Sequence, residues 1–371
     1  MKRPLILLAA AAALACESSS SSDGSADGAD GTDGASATDA ADGADGTDGS
    51  TSTDACAPPS GAEIVFPFTT VLAPEGSRGP AYGLATDGTD LFVNLFDRIV
   101  KAPLGGGTVS TIYQSSEEIP LGIAMWQDDD SLVVREAGKW YRLSFSGDKS
   151  DITVGLPNGS SVFNWDPSTD TFLAKLDSFE SRTVDVVRVA VGSDTPETLI
   201  NDSTAGYTRA WVKGGDYLYT QLPIDPVTAD YTIQRFTGPS YGAAEPLALS
   251  PAPAGIAGAT SEALYYFPDS IAAGDIGLYR VPHGSTTSER VYDQYWSVLA
   301  PGWGRADTST LYVNDASALW MVPATGNAVK ITTVPTGSCT THEVMAHDGW
   351  IYTVTFKSLS EENQAWRIPL P

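Results

Sequence analysis

One phrase of chain recurs along most of this sequence: a small-residue run, an acidic turn, an aromatic strand, then a cationic-apolar strand ending near proline. The first copy passes through Asp87-Gly88 to Leu91-Phe92-Val93 and then Arg98-Ile99-Val100-Lys101-Ala102-Pro103. The last passes through Asp348-Gly349 to Trp350-Ile351-Tyr352 and then Trp366-Arg367-Ile368-Pro369. Between them lie Leu132-Val133-Val134, Phe172-Leu173, Leu218-Tyr219, Leu264-Tyr265-Tyr266 and Leu311-Tyr312-Val313, each followed by its own second strand. Equivalent positions are spaced about 40 to 47 residues apart, the repeat length of a four-stranded propeller blade. A unit of that size cannot bury its apolar face alone and must stack on copies of itself. Alternating apolar and polar residues, β-branched and aromatic enrichment and Asp-Gly punctuation all indicate strands. After Glu63 no stretch has helical periodicity with caps, so a βαβ arrangement is excluded. The expected fold is all-β: a β-propeller of four-stranded blades. Seven copies can be counted, and drift in copies three to five leaves six or eight open.

The ends of the repeat region bear on closure. The last copy stops at Pro371 after its third strand, while residues 63–72 form a lone strand before the first full copy. They resemble the fourth strands elsewhere, such as Val109 to Tyr113. Residues 63–72 are therefore expected to complete the blade built from 340–371, closing the ring and leaving no long unpaired edge. Pro67 suits an outer strand, where one side of the ladder faces solvent.

Ahead of this body stand two segments of different composition. Met1-Lys2-Arg3 and the apolar run from Leu5 to Ala15 make an export signal too short to span a bilayer as a mature helix. Residues 17–57 are mostly Ser, Asp, Gly, Ala and Thr, with no aromatic and no basic residue, a composition that cannot offset chain entropy by burial. Such a like-charged tether extends itself. The expected organisation is a signal over 1–15, a disordered acidic stalk over 16–62 and a propeller over 63–371. The formal net charge is −25; discounting Lys2, Arg3 and the ten acids of the stalk leaves the body near −17. That balance excludes nucleic acid and bare anionic membrane as partners. Cys56 and Cys339 are candidates for a disulfide in an oxidising compartment. The pair is only half favoured by position, since Cys339 precedes an inner strand and Cys56 an outer one, near the opposite rim.

Four motifs admit both a functional and a structural reading. His342 and His347 sit five residues apart on a strand, whereas a zinc-protease helix needs i, i+4. Gly238-Pro239-Ser240-Tyr241-Gly242 has the spelling of a nucleophile elbow, but Pro246 curtails the helix that an elbow requires; a hairpin turn is expected. Asp128-Asp129-Asp130 lacks a calcium loop with a distal bidentate Glu, so weak calcium binding is the most it offers. No metal or other cofactor is expected. Residues just before inner strands reach one rim of the central channel, and Tyr82, Arg209, Trp303 and His342 form a candidate ligand rim there.

Ala15-Cys16 resembles a bacterial lipoprotein cleavage site, with Cys16 as the acylated residue; Ala13 departs from that pattern, which prefers Leu, and an ordinary secretory signal is the alternative. The stretch 85–107 resembles repeats of exported bacterial β-propeller lipoproteins and is similar to YWTD and NHL-type units. The resemblance implies a protein of the outer membrane or cell surface, with a periplasmic or extracellular body touching the membrane only through its lipid. The expected function is a non-catalytic binding scaffold, monomeric, whose partner is an envelope protein, peptide or glycan. The alternatives are a propeller enzyme of lyase, lactonase or glycan-hydrolase type acting at the channel mouth, and a subunit of an outer-membrane complex. No catalytic residue set can be carried over from enzymatic propellers, and fold alone does not assign chemistry.

Overall fold

The computed structural model describes residues 60–69, 83–95, 97–115, 123–157, 160–178, 183–202, 211–225, 230–268, 275–293, 297–298, 309–314, 318–333, 340–356 and 362–371. No helix occurs among them, and none is long and apolar enough to cross a membrane. Their strands form seven antiparallel four-stranded sheets. Blades 1 to 6 span 84–114, 123–152, 161–202, 211–247, 253–292 and 297–333. Blade 7 is Thr340–His347, Trp350–Phe356 and Glu362–Pro369, completed by Glu63–Thr69 as its outermost strand.

The expected closure is therefore present: Glu63 pairs with Arg367 and Thr69 with Glu362. First strands neighbour one another around the axis, Leu84–Thr86 lying beside both Ile123–Gln127 of blade 2 and Thr340–His347 of blade 7.

Pleating explains why each second strand reads as an unbroken apolar run. Successive side chains point to opposite faces, and in a ring both faces of every blade are covered by a neighbour. In blade 1, Phe92 packs against blade 2 while Leu91 and Val93 pack against blade 7. In blade 2, Leu132 and Val134 face blade 1 and Val133 faces blade 3. Tyr219, Tyr265, Tyr312 and Tyr352 each enter the cluster shared with the following blade, and the apolar residue before each enters the preceding one. The seven clusters match the seven blade junctions, including the junction of blade 7 with blade 1.

Outer strands do not alternate, because several carry a bulge at one equivalent site. The register breaks opposite Ile99/Val100, Val186/Val187, Leu278/Tyr279 and Leu319/Trp320, and again between Ile64 and Phe66. An extra residue there lets two consecutive side chains face the same way: Val65 with Phe66, and Val291 with Tyr292, enter one cluster together. The Asp-Gly signal is also explained. Asp348 and Gly349 lie at φ of 45° and 78°, both positive, the two-residue hairpin turn whose twist matches its flanking strands.

Candidate functional site

The recurring cation of the third strand is architectural. Lys101, Arg142, Arg188, Arg235, Arg280 and Arg367 occupy equivalent places in blades 1–5 and 7. Four of these arginines stand opposite a glutamate of the outer strand. Arg188–Glu197, Arg235–Glu245 and Arg280–Glu289 are bonded at 2.7 Å, and Arg367 Nε is 2.7 Å from Glu63. The same guanidinium reaches the next blade, donating to backbone carbonyls near its third-to-fourth turn. Arg188 reaches Pro239, Arg235 reaches Ser285, Arg280 reaches Pro323 and Gly326, and Arg367 reaches Leu104. Lys101 likewise donates to Phe145. Blade 2 varies the device: Arg142 pairs with Asp128 of its own blade and Asp170 of blade 3. Blade 6 lacks it, carrying Met321 opposite Val329.

This accounts for Asp128, the first acid of the triplet considered for calcium: it neutralises Arg142. Among the described residues no group of three or more His, Cys, Asp or Glu could hold a metal. Gly238–Gly242 is a turn between strands Asp230–Thr237 and Glu245–Leu247, with Tyr241 at φ 42° and its N–H donating to Gly238 O. His342 is the residue bulged out of register between Thr341 and Glu343 on a strand.

His283 is the histidine held in a defined network. Its Nε2 lies 2.9 Å from the Thr260 carbonyl, which can only accept, so Nε2 carries the proton. Nδ1 then accepts from the Tyr219 hydroxyl at 2.7 Å. Tyr217 stacks on the ring with centroids 4.8 Å apart. Burial holds the imidazole pKa below its usual value, against the pull of the Thr260 carbonyl, and burial likewise raises that of Tyr219. Gly214 makes room for this stack, since a Cβ there would come within 2.4 Å of Thr260 O and 2.9 Å of the imidazole. Both ring nitrogens are occupied, so this is a neutral wedge between blades 4 and 5, not a base. Glu136 is also buried; it accepts from Tyr113 at 2.5 Å, between blades 1 and 2.

A concavity of about 580 Å³ opens between blades 5 and 6. Arg290, Tyr292 and Asp293 line one side, at the end of the outer strand of blade 5, and Trp320 and Asn327 line the other, on blade 6. The Tyr292 and Trp320 rings meet at 4.9 Å and 55°, forming an aromatic corner. Its walls are fixed by hydrogen bonds to backbone carbonyls: the Arg280 guanidinium donates to Pro323 O and Gly326 O of the blade 6 turn, and Ala328 N–H donates to Val291 O at 2.9 Å. Sequence reasoning missed this site, because its parts come from the edges of two repeats 30 residues apart. The one visible signal was Trp320 beside the missing arginine of blade 6.

Tyr82, Arg209 and Trp303 lie outside the described residues, as do Cys16, Cys56 and Cys339 and the side chain of His342.

No family model matches this chain, and no curated protein matches it. Solved structures do. A puromycin-hydrolyzing peptidase of Mycobacterium tuberculosis is 12% identical with a TM-score of 0.52, over 83% of this chain and 54% of that one. The β-propeller domain of the Trilobed protease from Pyrococcus furiosus is 11% identical with a TM-score of 0.52, over 78% and 98%. The Pan2 WD40 domain of Neurospora crassa is 10% identical with a TM-score of 0.50, over 85% and 98%. This chain thus spans about half the length of the peptidase. At such identities the likeness is one of fold, and it establishes the propeller.

Proposed function

We propose that this chain is an exported, lipid-anchored propeller that acts as a non-catalytic binding scaffold of the cell envelope. The observation that carries the binding reading is the preorganised aromatic corner between blades 5 and 6, with a cation, a carboxylate and an amide at its edge. Concave sites with an apolar floor and a few convergent polar groups are where ligands bind. The charged side chains that recur with the repeat are instead engaged in joining blades, a structural use that leaves them unavailable for acid–base work. The lipoprotein reading rests on Ala15-Cys16 and the acidic stalk.

The start of the body supports a tie between Cys56 and Cys339. Ser60 N–H donates to Thr333 O at 3.4 Å, and Thr332 Oγ1 donates to Ser60 O at 2.7 Å. Position along the repeat alone argues for opposite rims. Ser60, four residues after Cys56, is instead bonded beside the strand end that leads toward Cys339. Four residues separate Cys56 from Ser60 and six separate Thr333 from Cys339, short spans for chain that covers roughly 3.3–3.6 Å per residue when extended.

The test of the scaffold reading uses the full chain in its own envelope. Feeding an alkyne fatty acid should label the protein, and Cys16→Ser should abolish the label. Mild cross-linking should capture a reproducible companion. Turnover of a lactone, ester or polysaccharide by the purified chain, lost with a single substitution, would overturn the non-catalytic reading in favour of the propeller enzyme.

A further inference from the structure

We infer that the groove between blades 5 and 6 is a saccharide-binding site, taking a short neutral oligosaccharide with one sugar ring laid against Trp320. This deepens the scaffold reading and rests on it. The first reason is shape. Trp320 is half-buried and its ring rests against that of Tyr292, itself 6% exposed, so Trp320 supplies the accessible flat apolar surface and Tyr292 fixes its tilt. A sugar ring presents the matching object, an apolar C–H face bordered by hydroxyls.

The second reason is the polar edge. Arg290 donates only, Asp293 accepts only, and the Asn327 amide does both. Hydroxyl groups donate and accept, so a vicinal pair can be met from both sides. An anionic ligand would face Asp293 and a body of strongly negative charge. A cationic one would face Arg290, which makes no ion pair among the described residues and is exposed. A neutral polyhydroxylated ligand meets neither obstacle.

The third reason concerns the competing occupant. An extended peptide adding to the outer strand of blade 5 would need the edge carbonyl of Val291. That carbonyl already accepts from Ala328 N–H. Strand addition is blocked there, and what remains accessible is side-chain chemistry. The volume, about 580 Å³, lies within the range of small-molecule sites. The fixed turn of blade 6 means little is lost to ordering on binding.

The experiment is isothermal titration of the full mature chain with neutral tetrasaccharides of glucose, mannose, galactose and N-acetylglucosamine, with a tetralysine and a polygalacturonate fragment as charged controls. At least one neutral sugar should bind. Trp320→Ala should weaken it at least tenfold, and Arg290→Ala and Asp293→Asn several-fold each. Arg290→Ala changes an exposed side chain, so its melting curve should match wild type even if Trp320→Ala destabilises the junction. Failure of every neutral sugar, preferred binding of a charged control, or binding unchanged in all three variants overturns the inference. If sugars fail while cross-linking still captures a companion, only the saccharide assignment falls; if neither binds, the scaffold reading falls with it.

Discussion

Replacing Arg280 by methionine tests whether the inter-blade arginines hold the ring, and blade 6 supplies the precedent by carrying Met321 at the equivalent position. Arg280 Nη1 donates to Pro323 O at 2.9 Å and Gly326 O at 3.1 Å, and Nη2 to Glu289 at 2.7 Å. Its side chain is 5% exposed while that of Glu289 is 59% exposed. The ion pair itself is therefore worth little, about 0–1 kcal/mol, since water screens the glutamate. The carbonyl bonds decide the outcome: a hydrogen bond to a charged group contributes about 1.5–3 kcal/mol. The two carbonyls share one nitrogen, and turn carbonyls regain some water, so about 2–3 kcal/mol is expected for Arg280→Met. Methionine retains the packed stem, which keeps a cavity cost out of the comparison. Glu289→Gln should cost under about 1 kcal/mol by the same reasoning. The assay is urea unfolding followed by tryptophan fluorescence, with unchanged slope required before midpoints are compared. Equal, small losses in the two variants would refute the claim that these arginines act through the neighbouring blade's backbone.

Three further outcomes follow from the same structure. Phe66→Ala, at a side chain 1% exposed in the cluster joining blade 7 to blade 1, should cost about 3–5 kcal/mol; Ile64→Ala, 50% exposed on the same strand, should cost almost nothing, and equal losses in urea unfolding would remove the closure argument. His283 is held neutral, so above about pH 6.5, the ordinary imidazole value, it contributes no pH dependence. As pH falls below that, the unfolded chain takes up a proton that the folded one refuses, and stability declines until the lowered folded pKa is passed. His283→Gln should flatten that part of the melting-temperature profile between pH 7.5 and 5.5; an unchanged difference from wild type would show the wedge does not titrate. Cys56 and Cys339 should react with iodoacetamide only after reduction, and reduction should lower stability by about 5 kcal/mol, as expected for closing so long a loop; labelling without reductant would rule the bridge out.

Much of the architecture was legible in advance because a propeller repeats one local problem. Leu91-Phe92-Val93 and its counterparts alternate between two buried faces, and that demand writes an apolar run into every second strand. Asp348-Gly349 announces a turn because its conformation needs positive φ. The lone strand at 63–69 could be matched to a blade missing its fourth member because unpaired edges are disfavoured. The cations of the third strand were visible as a pattern, yet their role was not. Whether Arg280 serves a ligand or a neighbouring turn depends on Pro323 and Gly326, more than 40 residues away.

Sequence alone determined the strand content, the repeat and the blade completed from both ends. Each of these is set by local periodicity or by composition, which near neighbours along the chain decide. Tertiary structure decided the blade number among the three left open, the inter-blade arginine bonds, the neutral state of His283 and the groove beside Trp320. Those depend on which surfaces of different blades meet, and distances across a junction are set by the stacking of the whole ring rather than by any one repeat.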